Sequence, residues 1–196
     1  MHKLWVFAVI LGLAACSTES EGNAGEKSDS REDTMIESSR QPNPAQVELA
    51  AIIERVDVPG NREVVIGEGV PGAIAMGEWG GDAIDYGSFL SILWNNRLTA
   101  IEGDELISVI PASGVRSHAL LAVDGTEDLP EDQWVSRLVV LENVDGNGLI
   151  PIFRPLVAGE GHLASPHGVN AVIIVDRFAN ANRVAQMLEA LDRNAE

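Results

Sequence analysis

The stretch Ser136-Arg137-Leu138-Val139-Val140-Leu141-Glu142-Asn143-Val144-Asp145, followed by Leu149-Ile150-Pro151-Ile152-Phe153-Arg154-Pro155-Leu156, decides how this chain is read. It opens on a leucine- and valine-rich run, Ser136–Glu142, that alternates loosely as a strand, and passes through a polar turn. Leu149, Ile152, Phe153 and Leu156 then fall at i, i+3, i+4, i+7, the spacing of a one-sided helix. Pro151 suits a first helical turn, whereas Pro155 kinks or ends the helix. Farther on, Asn170–Asp176 encloses Val172-Ile173-Ile174-Val175, an apolar run suited to a buried strand. Val184, Met187, Leu188 and Leu191 repeat the helical spacing, so the expected order is β-α-β-β-α over residues 135–196.

The same helical spacing appears twice upstream, at Leu49, Ile52, Ile53, Val56 and at Tyr86, Phe89, Leu90, Leu93. Such stripes must pack on a core. The strand-like runs Val64–Ile66 and Ala73–Met76 flank a glycine-rich segment that reads as a hairpin turn, and Arg97–Ile101 and Glu105–Ile110 flank a tight hairpin at Glu102-Gly103-Asp104. From Leu121 to Trp134 the chain is acidic, contains Gly and Pro, and lacks periodicity. The expected organisation is α-β-β-α-β-β over 46–118, a linker at 119–134, and the second module over 135–196. The fold class is α+β: two small modules, each a short sheet with two helices on one face, the second KH-like in element order.

At the N-terminus, His2 and Lys3 precede Leu4–Ala15, an uncharged and mostly apolar run of about 12 residues, where a membrane-spanning helix needs roughly 20. The run fits the core of a secretory signal. It ends in Leu13-Ala14-Ala15-Cys16, which resembles the bacterial lipobox. That resemblance implies cleavage of residues 1–15, a diacylglycerol on the Cys16 sulfur, and acylation of the new amine. Several acyl chains anchor stably where a single chain holds marginally. Ser17 in place of Asp favours, by the same resemblance, an outer membrane, with the chain facing the periplasm. Cys16 is the only cysteine, which excludes an intramolecular disulfide and a cysteine metal cluster. Residues 16–45, rich in Ser, Glu, Asp, Asn and Gly, are expected to form a disordered acidic tether with a mean reach of roughly 30 Å.

A formal charge of −17 repels nucleic acid and anionic headgroups, so no nucleic-acid partner is expected and the membrane is reached through the lipid. Gly67-Glu68-Gly69-Val70-Pro71-Gly72 spells a dinucleotide fingerprint, but Pro71 and a strand-like run follow where a helix N-terminus must face the pyrophosphate. Asn143-Val144-Asp145-Gly146-Asn147-Gly148 imitates a calcium loop, yet its twelfth position is Arg154, and a helix-capping turn accounts for it better. Of His118, His162 and His167, the last two are five apart in a glycine- and proline-containing loop with no third ligand at matching spacing, and there is no Gly-x-Ser-x-Gly elbow. No catalytic, cofactor or metal site is therefore expected, and Cys16 is the one residue assigned specific chemistry.

The quoted run resembles a periplasmic repeat of the secretin family. Ser136–Asp145 matches its first strand and turn, Leu149–Leu156 its helix, Gly161-His162-Leu163-Ala164 a short strand, Asn170–Asp176 the buried strand that opens on Asn, and Met187-Leu188-Glu189-Ala190-Leu191-Asp192 the end of its last helix. Upstream, Tyr86–Leu93 and Glu105–Ala112 resemble the second helix and closing strand of the domain that precedes this repeat in type II secretion secretins. The Gly67–Gly72 segment departs from that family's basic, Asp-Pro-containing turn. Secretins continue into further repeats and a pore domain, for which this sequence leaves no room. The resemblance therefore implies a non-enzymatic, lipid-anchored periplasmic accessory or assembly component of a type II secretion or related pilus system. It would contact a secretin, another secretion component or a second copy of itself. Two alternatives remain open: an envelope ligand-binding lipoprotein, marked by a polar pocket, and a cell-wall enzyme, marked by convergent titratable groups.

Overall fold

The computed structural model describes residues 45–77 and 81–195; the signal, Cys16 and nearly all of the expected tether lie outside them. The upstream elements are β1 (Gln46–Glu48), α1 (Leu49–Ile53), β2 (Val56–Asp57), β3 (Glu63–Ile66), β4 (Ala73–Ala75), β5 (Ile84–Asp85), α2 (Tyr86–Asn95), β6 (Leu98–Glu102) and β7 (Leu106–Pro111). The downstream elements are β8 (Leu121–Val123), β9 (Trp134–Val140), α3 (Gly146–Phe153), β10 (His162–Ala164), β11 (Ala171–Arg177) and α4 (Phe178–Arg193). This is the expected mixed α+β class, with small sheets and one-sided helices. Among the described residues no helix is long and apolar enough to cross a membrane.

Upstream, the expected β6–β7 hairpin is present, and β3 joins β7 in parallel to give the order β3-β7-β6. The glycine segment is not a hairpin turn. β3 and β4 do not pair with each other; β4 runs antiparallel to β1, and β2 pairs in parallel with β5. The reason is local: the Gly67 N–H donates to Val109 O at 2.8 Å, which extends the β3–β7 pairing past Ile66 and carries the chain away. A β-carbon on Gly67 would meet that same carbonyl at 2.8 Å, so the close approach requires glycine. All four residues of the Tyr86, Phe89, Leu90, Leu93 stripe are buried, together with Leu49, Ile52, Ile107 and Val109. Asp85 caps α2 by accepting from Ser88 N at 2.9 Å. At its other end Asn96 accepts from Ala75 N at 2.9 Å and donates to Ala75 O at 2.7 Å, tying β4 to the helix.

Downstream, one sheet runs β10-β11-β9-β8, with β8 parallel to β9 and the other pairs antiparallel. The stretch 119–134, expected as a linker, supplies strand β8. It also closes the start of α4, which has no side-chain cap: Phe178 N donates to Gln133 O at 2.8 Å and Ala179 N to Glu131 O at 3.1 Å. Pro151 lies in the second turn of α3 rather than the first, and the α-helix gives way at Arg154 to a 3₁₀ turn containing Pro155. The buried face of α4 is rotated from the expected stripe. Phe178, Ala181, Val184, Ala185 and Leu188 line the core, while Met187 and Leu191 are 42% and 46% exposed. Small alanines let the helix lie close to the sheet, and spacing of large residues alone misses them.

The β9–α3 turn is held by two side chains from distant elements. Asp192 near the end of α4 accepts from Glu142 N at 2.9 Å, Asn143 N at 2.8 Å and Val144 N at 3.0 Å. Asn170, just before β11, accepts from Gly146 N at 2.9 Å and donates to Leu141 O at 3.0 Å and Val144 O at 2.8 Å. The Glu142 amide foremost, then those of Asn143 and Val144, hold the Asp192 carboxyl below its ordinary value of 3.8. A depressed folded-state value makes this contribution complete above the ordinary value and removes it as pH falls through the lowered one. Asp192→Asn should therefore weaken the wild-type chain's acid sensitivity while lowering stability at neutral pH. Urea midpoints measured at neutral and acidic pH check this: an unchanged difference between the two chains across that range would contradict it.

Candidate functional site

Two features of the surface bear on function: the place where the two cores meet, and the part of the downstream sheet's outer face, away from Trp134, that no helix covers. The meeting place is polar and aromatic. Arg177 ends β11, and its guanidinium lies over the Trp94 ring of α2 with 4.6 Å to the centroid. The same guanidinium donates to Asp132 Oδ1 at 2.7 Å, and Asp132 Oδ2 accepts from Ser91 Oγ of α2 at 2.6 Å. Trp134, paired with Arg177 in the β9–β11 register, meets Trp94 edge to face with ring centroids 5.7 Å apart. One carboxylate, Asp132, thus joins a helix beside one core to a strand beside the other.

The uncovered sheet face follows from strand alternation. Val135, Val139, Val172 and Ile174 point into the downstream core, and Arg137 on that side binds Asn182 at 2.6 Å and Glu189 at 3.0 Å on α4. The opposite side carries Leu138 and Val140, 56% and 64% exposed, beside half-buried Ile173 and Val175. Exposed aliphatic residues gathered on one sheet face suit a partner protein better than they suit water.

The sites weighed from sequence resolve differently. Cys16 lies outside the described residues. Gly67–Gly72 leads into β4, not into a helix. In the loop that imitates a calcium site, Asp145 caps α3 by accepting from Asn147 N at 3.1 Å and Gly148 N at 3.2 Å, and the amides before it go to Asp192. His118 Nδ1 lies 3.1 Å from Gly114 O, His162 is on β10, and His167 is exposed in the following loop. Among the described residues no three His, Cys, Asp or Glu side chains gather as a metal site. Sequence reasoning missed Trp94, Asp132, Trp134 and Arg177. The two tryptophans and an arginine at a strand end were the available signal.

No protein-family model matches the chain. It is similar to secretin XcpQ of Pseudomonas aeruginosa, 31% identical over 108 residues, which is 55% of this chain and 16% of that protein. Secretin GspD of Vibrio cholerae is 28% identical over 111 residues, again 55% of this chain and 16% of the relative. Secretin GspD 2 of Escherichia coli is 22% identical over 156 residues, 76% of this chain and 23% of the relative. The match therefore spans less than a quarter of each of these relatives. Among solved structures, the Klebsiella pneumoniae type II secretion system outer membrane complex, with PulD, PulS and the PulC HR domain, shares the fold. The TM-score is 0.56 at 21% identity, covering 67% of this chain and 23% of that one. The mixed α+β architecture is thus that of a part of secretin-type proteins.

The joint makes a test in itself. Arg177→Met keeps an aliphatic stem on Trp94 but removes the charge, and should cost about 1–2 kcal/mol. Asp132→Asn should cost a similar amount, and the double variant less than the sum, because both act on one ion pair. Urea unfolding of the three variants at low salt reads this; full additivity would show that the two side chains are not coupled.

Proposed function

We propose that this chain is a non-enzymatic component of a type II secretion or related pilus system, acting as an accessory or assembly factor through protein–protein contact with a secretin or its partners. The observation that carries this reading is the 31% identity to secretin XcpQ over 108 residues. The fold shared with a chain of an outer membrane complex containing PulD, PulS and the PulC HR domain agrees with it. The exposed Leu138 and Val140 offer a surface of the kind that such contacts use.

In this reading residues 46–118 form a secretin first-domain-like module and 135–196 a secretin repeat-like module. Residues 119–134 join them and belong structurally to both, through Asp132 and β8. Residues 16–45 act as a tether, and Cys16 carries the lipid that holds the chain to an outer membrane facing the periplasm. The lipobox-like Leu13-Ala14-Ala15-Cys16 supports the anchor. A tether of about 29 residues with the reach of a Ser- and Gly-rich linker would let the modules work some 30 Å from the bilayer.

Affinity purification of the tagged full chain from detergent extracts should enrich a secretin or another type II secretion or pilus component. Leu138→Asp with Val140→Asp should reduce that enrichment without unfolding the chain. Recovery of no such component would overturn the reading. Separately, Cys16→Ser should abolish incorporation of labelled palmitate and release the chain into the soluble periplasmic fraction. Retention of label by the variant would refute the anchor.

A further inference from the structure

The β9–α3 turn and the loop between β10 and β11 border an open pocket of about 450 Å³, whose polar lining includes Asn143, Asp145, Asn147, Ser165, His167 and Asn170. Its frame is fixed from behind. Asp192 takes the amides of Glu142, Asn143 and Val144, and Asn170 ties its own loop to the turn through Gly146 N, Leu141 O and Val144 O. Asp145 takes the amides of Asn147 and Gly148. The backbone donors of the turn are therefore committed, and what this wall offers a ligand is side chains. Among the described residues the Asn147 amide, the Ser165 hydroxyl and the His167 ring make no hydrogen bond within the chain, and Asn143 gives its NH2 to Asp192 O at 3.0 Å but keeps its Oδ1. Asn143, Asn147 and His167 are exposed and Ser165 is half-buried. Gly168, at φ +83°, turns the second wall, and nothing lies within 4 Å of where its β-carbon would stand.

The lining selects by its chemistry. No lysine or arginine borders the pocket, so a phosphate or carboxylate finds no strong cationic partner. Asp145 is the one carboxylate there; it is balanced by the helix start it caps, and among the described residues no three His, Cys, Asp or Glu side chains gather to hold a cation. The apolar part is Val144, Pro166 and Val169, too little surface for a lipid chain. An extended peptide has no ladder to join along the turn. Amides, a hydroxyl and an imidazole around a small apolar patch can read vicinal hydroxyls while the patch meets the C–H face of a sugar ring. We propose that this pocket binds a neutral saccharide of about disaccharide size, its volume falling in the range of about 300–1,000 Å³ usual for small-molecule sites. Asn143 and Asn147 pair with ring hydroxyls from one wall, Ser165 and His167 from the other, and Val144 and Val169 lie against the ring. Leu138 and Val140 are not part of the lining, so saccharide binding and protein contact are compatible in one chain.

The test titrates the ¹⁵N-labelled full chain with cellobiose and with N,N′-diacetylchitobiose. Saturable shifts are expected with at least one of them, for the Asn147 side-chain NH2 signals, identified by their loss in Asn147→Ala, and for the backbone amides of His167, Gly168 and Val169. A Kd of about 1–10 mM suits so open a site. Asn147→Ala combined with Ser165→Ala should bind at least ~10-fold more weakly, the loss expected for two hydrogen bonds. Its urea midpoint should stay that of the wild type, because neither side chain bonds within the chain, and this separates loss of the site from loss of the fold. Absence of saturable shifts with both disaccharides, or wild-type affinity in the double variant, would overturn the proposal. So would inorganic phosphate or calcium chloride shifting the same signals at lower concentration than either sugar, which would mark an ion site. The co-purification experiment stands or falls independently, because it uses no saccharide.

Discussion

Everything at the centre of this molecule depends on the two oxygens of Asp132. One receives the Arg177 guanidinium from the end of β11, and the other receives Ser91 Oγ from α2. The side chains involved are mostly covered, 28% exposed for Arg177 and 18% for Asp132, so water screens the pair only partly. Charges taken that far from water require partners on every side, and Arg177 has one near-complete set: the carboxylate, the Trp94 face, and the Trp134 edge behind it. Its Nε alone is buried without an acceptor. A joint of this kind is weak evidence for stability and strong evidence for fixed geometry, because a shift of either core breaks all of these contacts together.

The fixed geometry explains why the exposed surfaces lie where they do. The downstream core is small, with α3 and α4 on the same face of a four-stranded sheet. A sheet of that size has two faces and cannot cover both with two helices. Leu138 and Val140 are the consequence, apolar by strand propensity and left outward by period two. The inner face is covered by α3 and α4, the outer face is covered by α2 at its Trp134 end, and exposed aliphatic side chains remain at the Leu138–Val140 end.

How much of this the amino-acid order discloses depends on the range of the contacts. The α2 stripe and the β6–β7 hairpin are legible because their partners lie within a few residues or a few turns. The glycine segment misleads because its neighbours in sequence, β3 and β4, are not neighbours in the sheets; β3 takes its partner from β7. The rotation of α4 is missed because Ala181 and Ala185 count as core only once the sheet beneath them is known. Asn170 and Asp192 are visible as residues that the resemblance to a secretin repeat puts at a strand start and a helix end. Their reason, a shared hold on the Glu142–Gly146 backbone, appears only in three dimensions. Asp132 has no sequence signal at all, since its partners come from elements on both sides of what reads as a linker.

The open edge of β6 and the polar joint are one design seen from two sides. Had β6 and β8 paired, the two sheets would have fused, the edge groups of Ala100 and Glu102 would be satisfied, and no cleft would remain. Asp132 fixes α2 against the end of β11, beside a cleft of about 290 Å³. An apolar gap of that size would lose dispersion contacts along its whole lining and collapse. A gap bordered by strand amides, carboxylates and an indole N–H tolerates water in the free state. The junction is therefore stiff in its joint and unpaired along the edge of β6.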